Sequence, residues 1–285
     1  MKINISIVVA TNNRKNINSF INQILFDLPN DFEIIIVIPV VKKKIFRTIS
    51  YSHNRLKILY SKYENQVKQR IDGFKIARGS FVLQSDDDII LKIDDILKLK
   101  NELINYPNSC VAPSLGSDST PSTWMNSPIY FNSLFYKLIS YINHGAQLYE
   151  PGKFSKAGIN MAFDVRKKKS YEVEWLPGGC ILHNKKNLIL QNYYPFHKGK
   201  SFSEDLFHSK YLTSFGLKLV FAPNIKIKFS NTNSKKLNIV TFKEIILNIR
   251  AMNRFVNQFG GNKIRLNMTL TLYYFWLFFY KLINK

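Results

Sequence analysis

Three consecutive carboxylates, Asp86-Asp87-Asp88, follow the apolar segment Ser80-Phe81-Val82-Leu83-Gln84 with only Ser85 between. Carboxylates held that close repel one another unless a cation sits among them, and oxygen ligands suit hard divalent ions such as Mg²⁺ or Mn²⁺. A strand ending in such a run offers a place for a metal-bound diphosphate. Clustered acids also occur where nothing is bound, on solvated faces and in the first turns of helices, where they complement the helix dipole. Asp94-Asp95, ahead of Ile96-Leu97-Lys98-Leu99, reads as a capping pair of that ordinary kind. The Asp86 to Asp88 run takes its meaning from what surrounds it.

Several elements must position these acids. Ile5-Ser6-Ile7-Val8-Val9-Ala10 is a continuous apolar run and predicts a buried strand, followed by the polar loop Thr11-Asn12-Asn13-Arg14-Lys15. Residues 16–28 carry Ile17, Phe20, Ile21, Ile24 and Leu25 at helical spacing. Residues 32–41 predict a second buried strand, 55–60 a third, 66–78 a helix, and 81–84 the strand that leads into the acids. Strands alternating with helices imply βαβ units and a mostly parallel sheet. Ligands of such sheets bind at the carboxyl ends of the strands, where both Thr11 to Lys15 and Ser85 to Asp88 fall.

Further along, residues 107–128 are rich in Ser, Pro, Gly and Asp and read as a loop crossing between two halves. Residues 129–142 predict an aromatic amphipathic helix, Val173-Glu174-Trp175-Leu176 a strand before the turn Pro177-Gly178-Gly179, 206–215 a helix ending at Gly216, and 218–221 a strand.

At 285 residues and 46% hydrophobic content the chain can bury a large core. Its net charge of +22 admits nucleic acid, an anionic membrane surface or phosphorylated small molecules as partners. The basic residues lie in short scattered clusters such as Lys42-Lys43-Lys44, Arg166-Lys167-Lys168-Lys169 and Lys235-Lys236. With no zinc spacing, RNP-like aromatic motif or concentrated basic helix, the chain is not expected to bind nucleic acid. Cys110 and Cys180 stand alone, which argues against a metal motif or a structural disulfide and suits a reducing compartment. The N-terminus has no signal-peptide pattern, so the expected location is the cytoplasm, at most peripherally on the inner face of the cell membrane. No stretch reaches the ~20 apolar residues of a spanning helix.

The segment Gln69-Arg70-Ile71-Asp72-Gly73-Phe74-Lys75-Ile76-Ala77-Arg78-Gly79, taken with Asp86-Asp87-Asp88, resembles the nucleotide-sugar half of family 2 glycosyltransferases with the GT-A fold. That family shows an Arg, a Gly three residues on, an Ala and a Gly further along the helix, then a strand and a DxD-type motif, and Arg70, Gly73, Ala77, Gly79 and the acids match in register. Downstream, Trp175-Leu176-Pro177-Gly178-Gly179 is similar to the family's segment lining the donor sugar and acceptor pocket, and Ser203-Glu204-Asp205-Leu206 to its Glu-Asp motif at the start of a helix.

The resemblance implies an α/β GT-A fold, a Rossmann-like, mostly parallel sheet with a mixed acceptor half, and an inverting, hexosyltransferase-like activity. The donor would be a nucleotide-diphosphate sugar, a UDP-sugar first among them, and the acceptor a glycan or lipid-linked saccharide. Asp88 would ligate Mg²⁺ or Mn²⁺ and Asp86 would lie near the ribose. Arg70 would face the diphosphate with its planar fork of donors, while Thr11, Asn13 and Arg14 would contact the nucleotide. Trp175, Gly178, Gly179 and Glu204 would line the sugar pocket, and Asp205 would be the general base. Gly79 is expected to terminate its helix.

The chain departs from the family in three places. The second strand runs Glu33-Ile34-Ile35-Ile36-Val37 into Ile38-Pro39, without the acid that contacts the base in many members. The Arg usual after the Trp-Gly segment is replaced around His183-Asn184-Lys185-Lys186, and no His follows Pro223 to complete a metal site. His183, His197 and His208 are not placed on the metal. A sugar nucleotidyltransferase is the alternative within this fold class, but Ala10-Thr11-Asn12-Asn13-Arg14 lacks the Gly-rich loop it would need. A basic nucleic-acid-binding protein is the alternative outside it.

Beyond residue 232 the sequence reads as helices, with Phe242, Ile245, Ile246, Ile249 and Phe255 at helical spacing, and it closes on Tyr273, Tyr274, Phe275, Trp276, Phe278, Phe279 and Tyr280 between basic ends. This tail would either cover the catalytic core or lie in a membrane interface, where aromatic rings and flanking lysines are favoured. The chain thus divides into a nucleotide-sugar half, residues 1–112, an acceptor half of the same domain, 113–230, and a helical, membrane-associating or core-covering segment, 231–285.

Overall fold

A computed structural model describes residues 2–12, 14–43, 53–116, 134–145, 150–196, 201–230 and 242–283. In chain order its elements begin with β1 (Ile5–Ala10), α1 (Arg14–Leu25), β2 (Phe32–Pro39), β3 (Leu56–Ser61), α2 (Gln66–Ile76), β4 (Phe81–Ser85), β5 (Ile89–Ile90), α3 (Ile93–Asn105) and β6 (Ser109–Leu115). They continue through α4 (Leu134–His144), β7 (Tyr171–Val173), β8 (Cys180–Asn184), α5 (Glu204–Ser214), β9 (Lys218–Phe229), α6 (Phe242–Phe259) and α7 (Lys263–Ile283). By packing, the chain forms two compact units, residues 1–120 with 165–233 and residues 121–164 with 234–285.

The first unit is built on the apolar runs ISIVVA and FEIIIVIP, in which every residue is buried. Continuous burial requires cover on both faces of the sheet, and helices supply it. One face of β1, β2 and β4 packs with Ile17, Phe20, Ile21 and Ile24 of α1 and Ile96, Leu99 and Leu103 of α3. The other packs Val8, Ile35, Val37 and Val82 against Phe74 of α2.

Strands β3, β2, β1 and β4 are mutually parallel. The sheet then becomes mixed, running on through β8, antiparallel to both β4 and β6, and ending β6-β9-β5, with β7 also paired to β9. This is the mostly parallel α/β sheet with a mixed second half expected from the sequence. Val9 pairs with Ser85 and Ser85 with Cys180. The acids after Ser85 therefore emerge between the carboxyl end of β1 and the start of β8.

Several local expectations need correction. Strand β6 lies inside the stretch read as a crossing loop, because a sequence of SCVAPSL is punctuated like a turn. Pro113 is tolerated in it because β8 pairs only with Cys110 and Val111, so no ladder bond on that side is lost. Strand β9 is far longer than 218–221, its register with β6 jumping between Pro113 and Ser114, and β7 stops at Val173, short of Trp175. Asp94 and Asp95 sit in the first turn of α3, where Lys92 is the N-cap and no side chain caps the helix; both complement the helix dipole, and Asp95 also pairs with Lys98 at 3.8 Å. Part of the 107–128 stretch, part of the helix read over 129–142, Lys44, Lys235-Lys236 and His197 lie outside the described residues. Both cysteines are free and buried.

Gly79 is the most instructive correction. Helix α2 ends at Ile76, and its C-cap Ala77 is already extended. Gly79 is needed instead because the chain passes tightly over β1: a Cβ there would lie 2.6 Å from the Ser6 amide nitrogen and 2.8 Å from the Phe81 carbonyl oxygen. The Gly79 amide donates to Ser6 Oγ (2.8 Å), and that hydroxyl donates to the fully buried Glu33 (2.7 Å). Burial would raise the pKa of Glu33, but hydrogen bonds from Ser6 and Arg78 and the contact with Lys57 outweigh it and hold the carboxyl below its ordinary range.

In the second unit, α7 buries Leu266, Thr269 and Leu270. Thr269 donates to Asn143 of α4 (3.0 Å), Arg265 to the Ile142 carbonyl (2.8 Å), and Asn248 of α6 to the Tyr274 hydroxyl (2.7 Å). The aromatic helix 134–144, which the sequence division places within 113–230, packs in this unit with the C-terminal helices.

Gly79→Ala is expected to cost about 2 kcal/mol or more, read by urea unfolding, since the clash is with backbone that cannot rotate away. An unchanged midpoint would show that the loop relaxes freely.

Candidate active site

Because β1 and β4 run parallel, their carboxyl ends deliver Thr11 and the acidic run to the same place. Thr11, buried, donates its hydroxyl to Asp87. Asp87 is thereby tied to the end of β1. The Asp86 amide donates to the Gly179 carbonyl (2.8 Å), and Asp86 Oδ1 accepts from Gln66 Nε2 (2.9 Å) and Arg70 Nη2 (2.7 Å). Asp88 accepts on its main-chain oxygen from the Ser230 amide (2.6 Å). Its carboxyl is pushed up to about 6, first by burial and then by the charges of Asp86 and Asp87. Three neighbouring acids thus have unequal surroundings, and Asp88 carries the electrostatic burden.

Arg70 is the centre of the constellation. It lies on the buried face of α2 at 1% exposure. Nη1 donates to Glu204 Oε1 (2.5 Å), and Nη2 to Asp86 Oδ1 and to the Gly178 carbonyl (3.1 Å). Burial alone would drive the guanidinium toward neutrality, but Glu204 and Asp86 more than offset it and keep the group cationic. The same Gly178 carbonyl accepts from Gln84 Nε2 (2.5 Å). Both terminal nitrogens of the fork expected to face a diphosphate are therefore filled by protein groups, while the buried Nε finds no hydrogen-bond partner among the described residues, and Arg70 joins the acidic run to the start of α5.

Glu204 opens α5 after Ser203, whose φ of 56° is unusual for a residue with a side chain. Its second oxygen accepts from the Tyr193 hydroxyl (3.3 Å). Asp205 follows directly, accepting from the Leu206 amide (3.0 Å). Burial and then the neighbouring Glu204 charge raise its carboxyl to about 7. A carboxyl poised there can accept a proton near neutral pH.

The two glycines before β8 have a packing reason. A Cβ on Gly178 would run into Glu204, and one on Gly179 would lie 3.2 Å from Asp86 and 3.1 Å from Leu115. They let both acids approach the main chain. Trp175, expected to line the sugar pocket, is 1% exposed and presents no face to solvent; it belongs to the core, beside Leu176, whose amide donates to Ser209. Asn13 and the side chain of Arg14 lie outside the described residues. His183 and His208 are buried behind Arg70, and burial together with nearby positive charge keeps both neutral.

Gln66, Gln84 and Tyr193 were not picked out by sequence reasoning. Gln66 stands four residues before Arg70, one turn along the same helix face, and Gln84, in β4, stands two residues before Asp86, just past the end of that strand. Those spacings were usable signals. Tyr193, in an irregular segment, offered none.

Among the described residues no group of three or more His, Cys, Asp or Glu side chains could hold a metal ion by itself. What is present is an all-oxygen set, Asp88 with Asp86 beside it. That fits Mg²⁺ or Mn²⁺, which bind through one or two carboxylates and take their other ligands from phosphate and water.

A sheet that is parallel from β3 to β4, mixed beyond it, and acidic at the carboxyl ends of its strands is the GT-A architecture. The chain belongs to glycosyl transferase family 2, whose model matches residues 6–169. Among solved structures it is similar to GalNAc-T7 crystallised with UDP, GalNAc and Mn²⁺, at a TM-score of 0.59 and 13% identity over 90% of this chain. It is also similar to S. aureus TarS 1-349, at a TM-score of 0.52 and 12% identity, covering 95% of this chain and 70% of that one. The match spans about half, 48%, of the GalNAc-T7 chain. At such identities the likeness is one of fold. No curated protein matches the sequence.

Arg70→Met would leave the carboxylates of Glu204 and Asp86 without their cationic partner and should cost about 3–5 kcal/mol of unfolding free energy. Pairing it with Glu204→Gln should recover part of that loss in a double-mutant cycle. Strict additivity of the two changes would contradict the coupling.

Proposed function

We propose that the protein transfers a sugar from a nucleotide-diphosphate donor, a UDP-sugar first among candidates, to a hydroxyl of a surface glycan or lipid-linked saccharide, with inversion at the anomeric carbon. The observation that carries this reading is Asp205, a carboxyl raised to about 7 and adjacent to a buried ion ladder, Glu204–Arg70–Asp86, that leads to the acidic run. Family membership supports the reaction class. That GalNAc-T7 was crystallised with UDP, GalNAc and Mn²⁺ supports the choice of uridine and of a divalent ion.

Asp205 hydrogen-bonds the acceptor hydroxyl and takes its proton as that oxygen attacks the anomeric carbon. The new carbon–oxygen bond forms on the face opposite the departing diphosphate, whose bond to the sugar breaks in the same displacement. Asp88, with Asp86 beside it, would hold Mg²⁺ or Mn²⁺, which when bound neutralises charge on the diphosphate. Asp86 contacts the ribose, and Thr11, Asn13 and Arg14 contribute to the nucleotide pocket. Arg70 is a positioning residue, holding Glu204 and hence Asp205 at a fixed distance from the acids. Gly178 and Gly179 shape the sugar pocket by keeping the main chain close to Glu204 and Asp86. In this reading residues 1–112 bind donor and 113–230 contribute the acceptor side.

Screening nucleotide sugars for Mn²⁺-dependent hydrolysis tests the reading. Asp88→Ala should abolish metal-dependent turnover, and EDTA should do the same to the wild type. Asp205→Asn should lower transfer about 10²–10⁴-fold while leaving the thermal shift produced by UDP and Mn²⁺ intact. If no donor turns over and none shifts the melting temperature, the proposal fails.

The pH profile is a separate check. A base must be deprotonated, so kcat/KM should rise about tenfold per pH unit below about 7 and level off above it. Loss of this limb in Asp205→Asn is expected; its survival would assign the base elsewhere.

A further inference from the structure

We propose that α7 docks in the interface of an anionic lipid bilayer, lying in its plane through the face that carries Ile264, Met268, Phe275, Phe278 and Phe279. The inference goes beyond the proposed transfer reaction, whose chemistry requires no membrane.

The five residues are all exposed, Ile264 at 72% and Phe275 and Phe278 each at 61%. At about 100° per residue they fall within an arc of roughly 120°, with Asn267 and Thr271 interspersed. The stripe runs roughly 22 Å along the helix. Phe275 and Phe279 touch (ring centroids 4.5 Å apart), as do Phe278 and Phe279 (5.8 Å), so the rings form one patch. The opposite face is committed: Leu266, Thr269 and Leu270 are buried, Thr269 bonds Asn143, and Tyr274 bonds Asn248. A helix so packed leaves its apolar stripe to something outside the unit. No helix among the described residues is long and apolar enough to cross a membrane, so contact with lipid would be along the surface.

Charge selects the occupant. From residue 245 to 285 the sequence contains no Asp or Glu but six cations, Arg250, Arg254, Lys263, Arg265, Lys281 and Lys285. A second copy of this chain would bring the same acid-free, cationic segment against itself, which like-charge repulsion opposes. An anionic bilayer supplies both what the phenyl rings need and what the cations need, and aromatic rings with basic flanks are the composition favoured there.

Flotation of the full chain with phosphatidylcholine vesicles, with and without phosphatidylglycerol, tests this. The wild type should float with the anionic vesicles, more weakly with the neutral ones, and less as salt is raised. Phe275→Glu combined with Phe278→Glu should reduce flotation about tenfold or more. Because both side chains are exposed, the variant should keep its melting temperature and its donor hydrolysis in solution, which separates failure here from failure of the transferase reading. Equal flotation of variant and wild type would overturn the proposal. So would no binding of the wild type to either vesicle, or a wild type that is dimeric by light scattering and becomes monomeric in the variant without binding vesicles.

Discussion

A guanidinium in the interior of a protein must be met by charge and hydrogen-bond acceptors or the fold that buries it is heavily penalised. Arg70 meets that demand with groups from three separate places in the chain: Glu204 at the start of α5, Asp86 after β4, and the Gly178 carbonyl before β8. None can move far without leaving a buried charge or dipole unpaired. The acidic run after β4 and the start of α5 are therefore tied to one another through a single side chain.

Much of the nearby architecture follows from that constraint. The carbonyl of Gly178 and the carboxylate of Glu204 can both reach Arg70 only if no side chain intervenes, and a Cβ on Gly178 would strike Glu204 itself. Gly73 lets α2 sit close to the sheet, since a Cβ there would press on Val8 and lie 2.9 Å from Val37. Gln66 and Gln84 share the acceptors that Arg70 uses. With Asp86 engaged by Arg70 and Asp87 by Thr11, Asp88 has a proton affinity raised first by its burial and then by its two negative neighbours. An electrostatic gradient within three consecutive identical residues arises from their partners and not from their chemistry.

The helices of the second unit obey simpler rules. Each has one face buried, α6 through Ala251, Met252, Phe255 and Val256 and α7 through Leu266, Thr269 and Leu270, and α7 keeps a second, aromatic face outward. Its sequence is apolar nearly all round, the pattern of a helix with cover on more than one side. The cations that flank it set the character of what can provide that cover.

The sequence by itself determined the alternation of strands and helices in the first hundred residues and the parallel start of the sheet, and its family resemblance pointed to Arg70, Asp86, Asp88, Glu204 and Asp205 as candidates for one site. The strands were legible because buried parallel strands are continuous apolar runs, and the candidates because Arg70, Gly73, the acids and Glu204-Asp205 match the order of the family's motifs. Strand β6 was not, since Pro113 and the flanking serines look like a turn until β8 and β9 are seen on either side. Only the tertiary structure decided that Arg70 turns inward to Glu204, that Trp175 belongs to the core, that Gly79 serves a close approach over β1, and that Tyr193 and Gln84 belong to the network. Each of these depends on contacts between residues far apart in the chain, where spacing carries no information and burial decides which charges must find each other.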